Sequence, residues 1–123
     1  MIDGNNVMGA GADGWWNDRQ GAAERLTQQI ALWSRDHDDD VMVVFDGRSS
    51  DAVEVLAGGN LGVRFAESRR RDAADDVIVE HVGEIFGTEP DLTVVTSDKG
   101  LVARLPPGVV VMGAGAYRHL LGL

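Results

Sequence analysis

Val41-Met42-Val43-Val44-Phe45-Asp46-Gly47 is a run of five apolar residues, three of them β-branched, closed by Asp-Gly. A run that short, apolar at every position instead of at alternate ones, reads as a strand buried on both faces; the Asp-Gly that closes it reads as a turn. The design recurs downstream. Leu92-Thr93-Val94-Val95-Thr96 ends at Ser97-Asp98, and Val109-Val110-Val111-Met112 is entered from Pro106-Pro107-Gly108 and left at Gly113. Gly62-Val63-Arg64-Phe65-Ala66 alternates and reads as a strand nearer the sheet edge. Between these runs the period changes to that of a helix. Ala23, Leu26, Ile30 and Trp33 recur on one face of residues 20–35, and Ala74, Ile78, Val82 and Ile85 on one face of residues 73–86. A short helix is expected over Tyr117 to Leu121, and Ser97 or Asp98 can cap another through Leu101 to Leu105. Doubly buried strands alternating with helices define the class: α/β, three-layered, with a parallel sheet of four to five strands covered by helices.

The start of the chain is less regular. Only Met1 and Ile2 precede Asp3, too little for a central strand in front of that acid. Either the first strand runs through Asp3 towards Val7, or the natural chain begins upstream and the strand is truncated here. With 123 residues the expectation is a single domain over residues 1–123, large enough to bury a core without staples. No apolar run approaches ~18 residues, so no membrane partner is expected. The chain has no cysteine, which excludes disulfides, thiolate metal sites and cysteine nucleophiles, and a cytoplasmic setting is expected. Twenty acids against eleven bases give a net charge of −9, and fourteen of the acids are Asp. Such a field repels phosphate, so work on nucleic acid needs a local arginine patch or a cation held by the aspartates.

The aspartates are ordered by position. Asp3 follows the first strand, Asp46 follows Val41–Phe45, and Asp98 follows Leu92–Thr96; Asp75 and Asp76 open the helix after the Gly62–Ala66 strand. In an open parallel sheet ligands bind beyond the carboxyl ends of the strands. Any one of these acids has an ordinary explanation as a turn or a cap. Four chain segments that bring carboxylates to one edge are different, because the charges repel unless a cation joins them. Magnesium or manganese accepts such a cluster and activates water for phosphodiester hydrolysis. Asn5 and Ser97, short neutral groups beside Asp3 and Asp98, are suited to orient that water or bind a phosphate oxygen.

Four blocks then carry a resemblance: Ile2-Asp3-Gly4-Asn5-Asn6-Val7, Val43-Val44-Phe45-Asp46-Gly47-Arg48, Ala73-Ala74-Asp75-Asp76-Val77-Ile78 and Val94-Val95-Thr96-Ser97-Asp98. In this order and register they resemble the PIN-like nuclease superfamily, its NYN-domain branch, and within it the bacterial YacP-like proteins. The resemblance spans essentially the whole chain. It implies a Rossmann-like PIN fold and a metal-dependent ribonuclease, an endoribonuclease using Mg2+ or Mn2+. Asp3, Asp46, Asp76 and Asp98 fall on the family's acidic, metal-holding positions, with Asp75 beside them; Asn5 and Ser97 fall on its small polar positions. Asp75 and Asp76 differ by about 100° around a helix, so one of them is expected to face the site. Spacing does not say which, and the preference falls on Asp76. RNA is the implied partner, with ribosome association and a homodimer both left open. The alternative on the same fold is a non-catalytic RNA- or ribosome-binding module.

Arg69-Arg70-Arg71, directly before the Asp75-Asp76 block, is the first choice for phosphate contacts, and Arg48 and Lys99 can reach the same groove. Balancing local acid on a solvated loop is the competing explanation. Trp15 and Trp16 can stack on RNA bases or cover the sheet edge; the second role is preferred for at least one of them. Gly9-Ala10-Gly11-Ala12-Asp13-Gly14 is a literal G-x-G-x-x-G placed after a strand, but the third glycine does not open a helix and no acid ends a second strand ~20 residues on. A dinucleotide site is therefore disfavoured against a loop at the rim. Asp38-Asp39-Asp40 precedes a strand and is expected at the opposite edge.

Overall fold

The computed structural model describes all of residues 1–123 except Ala12, Asp13, Arg69, Arg71 and Pro90. Its elements are β1 (Ile2–Asp3), α1 (Gly4–Gly9), a 3-10 turn (Trp15–Asn17), α2 (Arg19–Ser34), β2 (Val41–Phe45), α3 (Asp51–Glu54), β3 (Leu61–Phe65), α4 (Ala73–Ile85), β4 (Thr93–Val95), α5 (Lys99–Ala103), β5 (Val110–Met112) and α6 (Ala114–Leu120). The five strands form one parallel sheet in the order β3-β2-β1-β4-β5.

The strand residues dictate the layers. Val41, Val43 and Phe45 point to one face, where they pack with Val7, Met8, Leu26, Ile30 and Tyr117 of α1, α2 and α6. Val44, between them, points to the other face with Val94, Ala74, Ile78, Val82 and Leu101 of α4, α5 and β4. Both faces are covered over β1, β2 and β4, as a parallel sheet requires, but β5 at the sheet edge leaves Val110 and Val111 exposed, so the last apolar run is not buried on both faces as its composition suggests.

The elements largely follow the periodicity, with three corrections. β1 stops at Asp3 and the chain turns at once into α1, so the strand does not continue towards Val7. Gly4 makes this turn feasible: a Cβ there would lie 2.5 Å from the Phe45 ring and 2.9 Å from the Val44 carbonyl oxygen, so only glycine lets α1 start against β2. The G-x-G-x-x-G stretch consequently follows a helix, since Gly9 is the last residue of α1, and the strand-to-helix context of a dinucleotide loop is missing. Finally, α3 and the 3-10 turn carry too few residues to show a period.

The connectivity creates a switch point. From β1 the chain moves outward through β2 to β3, then returns by α4 to the other side of β1 for β4 and β5. The crevice beyond the carboxyl ends of β1 and β4 is where such sheets bind ligands. A separate cavity of about 910 Å³ opens at the opposite edge, lined among others by Asp39, Asp40, Asn60 and Tyr117, and none of Asp3, Asp46, Asp75 or Asp98 borders it.

Candidate functional site

Each acid at the switch point is placed by a short polar link. Asp3, only 4 % exposed at the end of β1, accepts a hydrogen bond from Thr96 Oγ1 (2.9 Å). The same Thr96 oxygen accepts from the Asp98 backbone N–H (3.1 Å), so one hydroxyl sets the ends of β1 and β4 against each other. Asp46 Oδ1 accepts from the Ala74 N–H (2.7 Å) and thereby fastens the start of α4 to the end of β2. Asp98 Oδ1 caps α5, accepting from Gly100 N (2.8 Å) and Leu101 N (3.2 Å).

Asp75 differs from these. It is buried in the first turn of α4, and among the described residues no hydrogen bond reaches its carboxylate. Burial pushes its carboxyl up from 3.8 to about 7, and the charges of Asp3, Asp98, Asp72 and Asp46 add to the rise. Asp3 is likewise raised to about 6, first by burial; its hydrogen bonds with Thr96 and the Asn6 backbone pull it down, and Asp46 and Asp98 push it up. Without a counter-charge this site cannot be fully ionised at neutral pH.

Asp72 completes the group. It is the N-cap of α4 in a left-handed conformation (φ 62°), and its side chain makes no cap hydrogen bond. Left-handed backbone is uncommon for any residue but glycine and is tolerated best by Asn and Asp. Its carboxylate instead lies with those of Asp75 and Asp98, one oxygen of each within 4.8 Å of the others.

Asp76 is not part of this cluster. Its two oxygens bind Arg70 Nη2 (2.7 Å) and Arg104 Nη2 (2.8 Å), and the Arg104 bond leads the effects that hold its carboxyl below the usual range. The structure thus places Asp75, and not the preferred Asp76, among the converging carboxylates. The phase of α4 explains it, since Asp75, Ile78 and Val82 repeat at i, i+3 and i+7 on the sheet-facing side, whereas Asp76 is rotated outward. Of the expected metal set Asp3, Asp46, Asp76 and Asp98, the tight oxygen group holds Asp98 alone. Asp3 and Asp46 stand behind it within electrostatic reach of Asp75.

The two small polar residues are occupied by the fold. Asn5 Oδ1 accepts the Asp46 N–H (2.7 Å), and Ser97 Oγ accepts the Ala114 N–H (2.8 Å) at the start of α6. Asn6 does for β4 what Asn5 does for β2, its Oδ1 accepting the Ser97 N–H (2.7 Å). Of the basic residues, Arg48 and Lys99 are exposed beside Asp46 and Asp98, and Arg70 is held by Asp76. Arg69 and Arg71 lie outside the described residues.

A three-layer α/β domain with carboxylates gathered at the switch point of an open parallel sheet is nuclease-like in fold and in the chemistry of its edge. The chain belongs to the YacP-like NYN domain family, which it matches over residues 1–119. Two crystal structures of Rae1 (YacP) from Bacillus subtilis share the fold. One has a TM-score of 0.75 at 19% identity, covering 98% of this chain and 71% of that one. The other, of a single-substitution mutant, has a TM-score of 0.73 at 21% identity, covering 98% and 72%. No curated protein matches the chain. No helix among the described residues is long and apolar enough to cross a membrane.

Proposed function

We propose that the protein is a metal-dependent ribonuclease that hydrolyses RNA phosphodiester bonds at the Asp72–Asp75–Asp98 edge with Mg2+ or Mn2+. The observation that carries this reading is Asp75: a buried carboxylate that converges with other carboxylates and accepts no hydrogen bond among the described residues. The donor set fits the ion. Magnesium and manganese take carboxylate oxygens at roughly 2.1 Å, which puts neighbouring ligand oxygens about 3–4 Å apart, within the spacing of these three acids. When bound, such an ion would neutralise charge developing on the phosphate and lower the pKa of water, so that water gives up a proton as it attacks.

The chain's own residues do the rest. Asp3, outside the three-carboxylate group but close enough to Asp75 for their charges to interact, is left to take a proton from an attacking water. Asn5, Asn6 and Thr96 hold the strand ends so that these carboxylates stay converged. Arg48, Lys99 and Arg70 supply positive charge along the rim for the RNA backbone, which the net charge of −9 would otherwise repel.

The test is cleavage of end-labelled, mixed-sequence RNA in magnesium, manganese or EDTA. Internal cutting that requires metal supports the proposal. Tight RNA binding with no cutting in any metal would overturn the activity and leave a binding module on the same fold.

A further inference from the structure

Of the described aromatic side chains only Trp16 is largely exposed, at 60 %. Its neighbour Trp15 is packed against the core cluster beside α1, and the two rings meet edge to face with centroids 6.1 Å apart. Arg19 places its guanidinium 5.4 Å from the centre of the Trp15 ring. The backbone beneath is fixed. Gly14, left-handed at φ 76°, starts the 3-10 turn; Asn17 N bonds Gly14 O (3.0 Å); and Asp18 caps α2 by accepting from Gly21 N (3.0 Å). Trp16 thus projects from a hydrogen-bonded turn, and its large apolar face is mostly open to solvent.

Its location follows from the topology. The carboxyl end of α2 is at the amino edge of the sheet, where the Ser34 carbonyl accepts from Asn60 Nδ2 just ahead of β3. The sixteen residues of α2 span about 24 Å, so its other end, with the 3-10 turn that precedes it, lies towards the carboxyl edge. That is the edge of Asp3, Asp75 and Asp98. The turn packs on α1, which itself starts at Asp3.

The geometry points to Trp16 as a stacking platform for an unpaired RNA base, with Trp15 as its footing and Arg19 as the adjacent cation. This rests on the ribonuclease reading and adds to it the preference for single strands. A π face accepts any base and requires that the base be unpaired, while a neighbouring guanidinium offers the phosphate a donor. The acidic edge by itself offers a base nothing.

The test is anisotropy of a labelled single-stranded oligoadenylate of about ten nucleotides, and of the same strand annealed to its complement. Wild type is expected to prefer the single strand. Trp16→Ala should weaken that binding roughly 5- to 100-fold, Trp16→Phe should restore most of it, and the slope of affinity against salt should not change, because no phosphate contact is lost. The melting temperature should stay put, since the ring is exposed. Equal binding by wild type and Trp16→Ala, or an equal loss on single strand and duplex, overturns the platform and leaves the ribonuclease reading intact. A wild type that binds neither RNA overturns that reading, and the platform with it.

Discussion

Replacing Asp75 with asparagine should make the metal-free protein more stable near neutral pH, although it removes a residue of the site. The unfolded carboxyl titrates at 3.8 and the folded one at about 7. Between those values the native state keeps a proton that the unfolded chain has released, so stability falls as pH rises through the window. The full cost is present above about pH 7 and absent below 3.8. Three pH units at about 1.4 kcal/mol each give an upper figure near 4 kcal/mol. Asp3 titrates in the same range and shares the repulsion, and the edge beside Asp72 and Asp98 is open to solvent that screens the charge, so the gain from Asp75→Asn is set at about 1–2 kcal/mol. With an unfolding entropy of roughly 2.1 cal/mol/K per residue, this raises the melting temperature by roughly 4–8 °C. Thermal melts in EDTA at about pH 7.5 and about pH 5 measure it, and the gain should shrink by more than half at the lower pH. Added Mn2+ should stabilise wild type, by about 2.7 kcal/mol at a hundred times the dissociation constant, and leave the variant nearly unchanged. A variant no more stable than wild type at the higher pH, or a gain that does not depend on pH, would refute the argument that Asp75 is a buried, unoffset charge.

Four further outcomes follow from the same geometry. Gly4→Ala forces a Cβ into the Phe45 ring and the Val44 carbonyl and should cost about 1–3 kcal/mol in urea unfolding; an unchanged midpoint would show that α1 can shift away from β2. Asp72→Asn keeps a residue type that tolerates the left-handed backbone, so the fold should hold while Mn2+ affinity, read by calorimetry, falls about 10-fold or more. Asp76→Asn releases Arg70 and Arg104 at the surface and should leave the melting temperature nearly where it was, whereas a large drop would give that ion pair a structural role. Tyr117 buries its hydroxyl with no hydrogen-bond partner among the described residues, so Tyr117→Phe should hold stability or raise it by up to about 1 kcal/mol; a clear loss would reveal a partner for that oxygen.

How much of this is legible in the sequence depends on range. The strands announce themselves because Val41–Phe45, Val94–Val95 and their neighbours are apolar on both faces, which only a covered parallel sheet satisfies. That Asp3, Asp46 and Asp98 come to one edge follows from that topology alone, since Asp3 ends β1 and the other two lie within three residues after β2 and β4. The choice between Asp75 and Asp76 is also written in the chain, in the phase of Ile78 and Val82, and spacing without phase misses it. Asp72 has no such signal, because it lies outside the helix in a left-handed conformation that no local pattern announces. What the sequence does not display are the links between distant segments: Thr96 to Asp3, Asn6 to Ser97 and Asn5 to Asp46 join residues far apart in the chain and carry no local pattern. They also explain why Asn5 and Ser97, which look like free polar groups beside the acids, serve the scaffold first.

If the Asp72–Asp75–Asp98 edge holds a divalent ion for RNA cleavage, Asp75 is indispensable to cutting and Asp76 is not. The direct measurement is the cleavage rate of one end-labelled RNA in Mn2+ by wild type, Asp75→Asn and Asp76→Asn, each first shown to be folded. The expected result is a loss of about 100-fold or more in Asp75→Asn, the variant predicted to be the more stable, with Asp76→Asn still cutting. Undiminished cleavage by Asp75→Asn, or abolition by Asp76→Asn alone, would contradict the account.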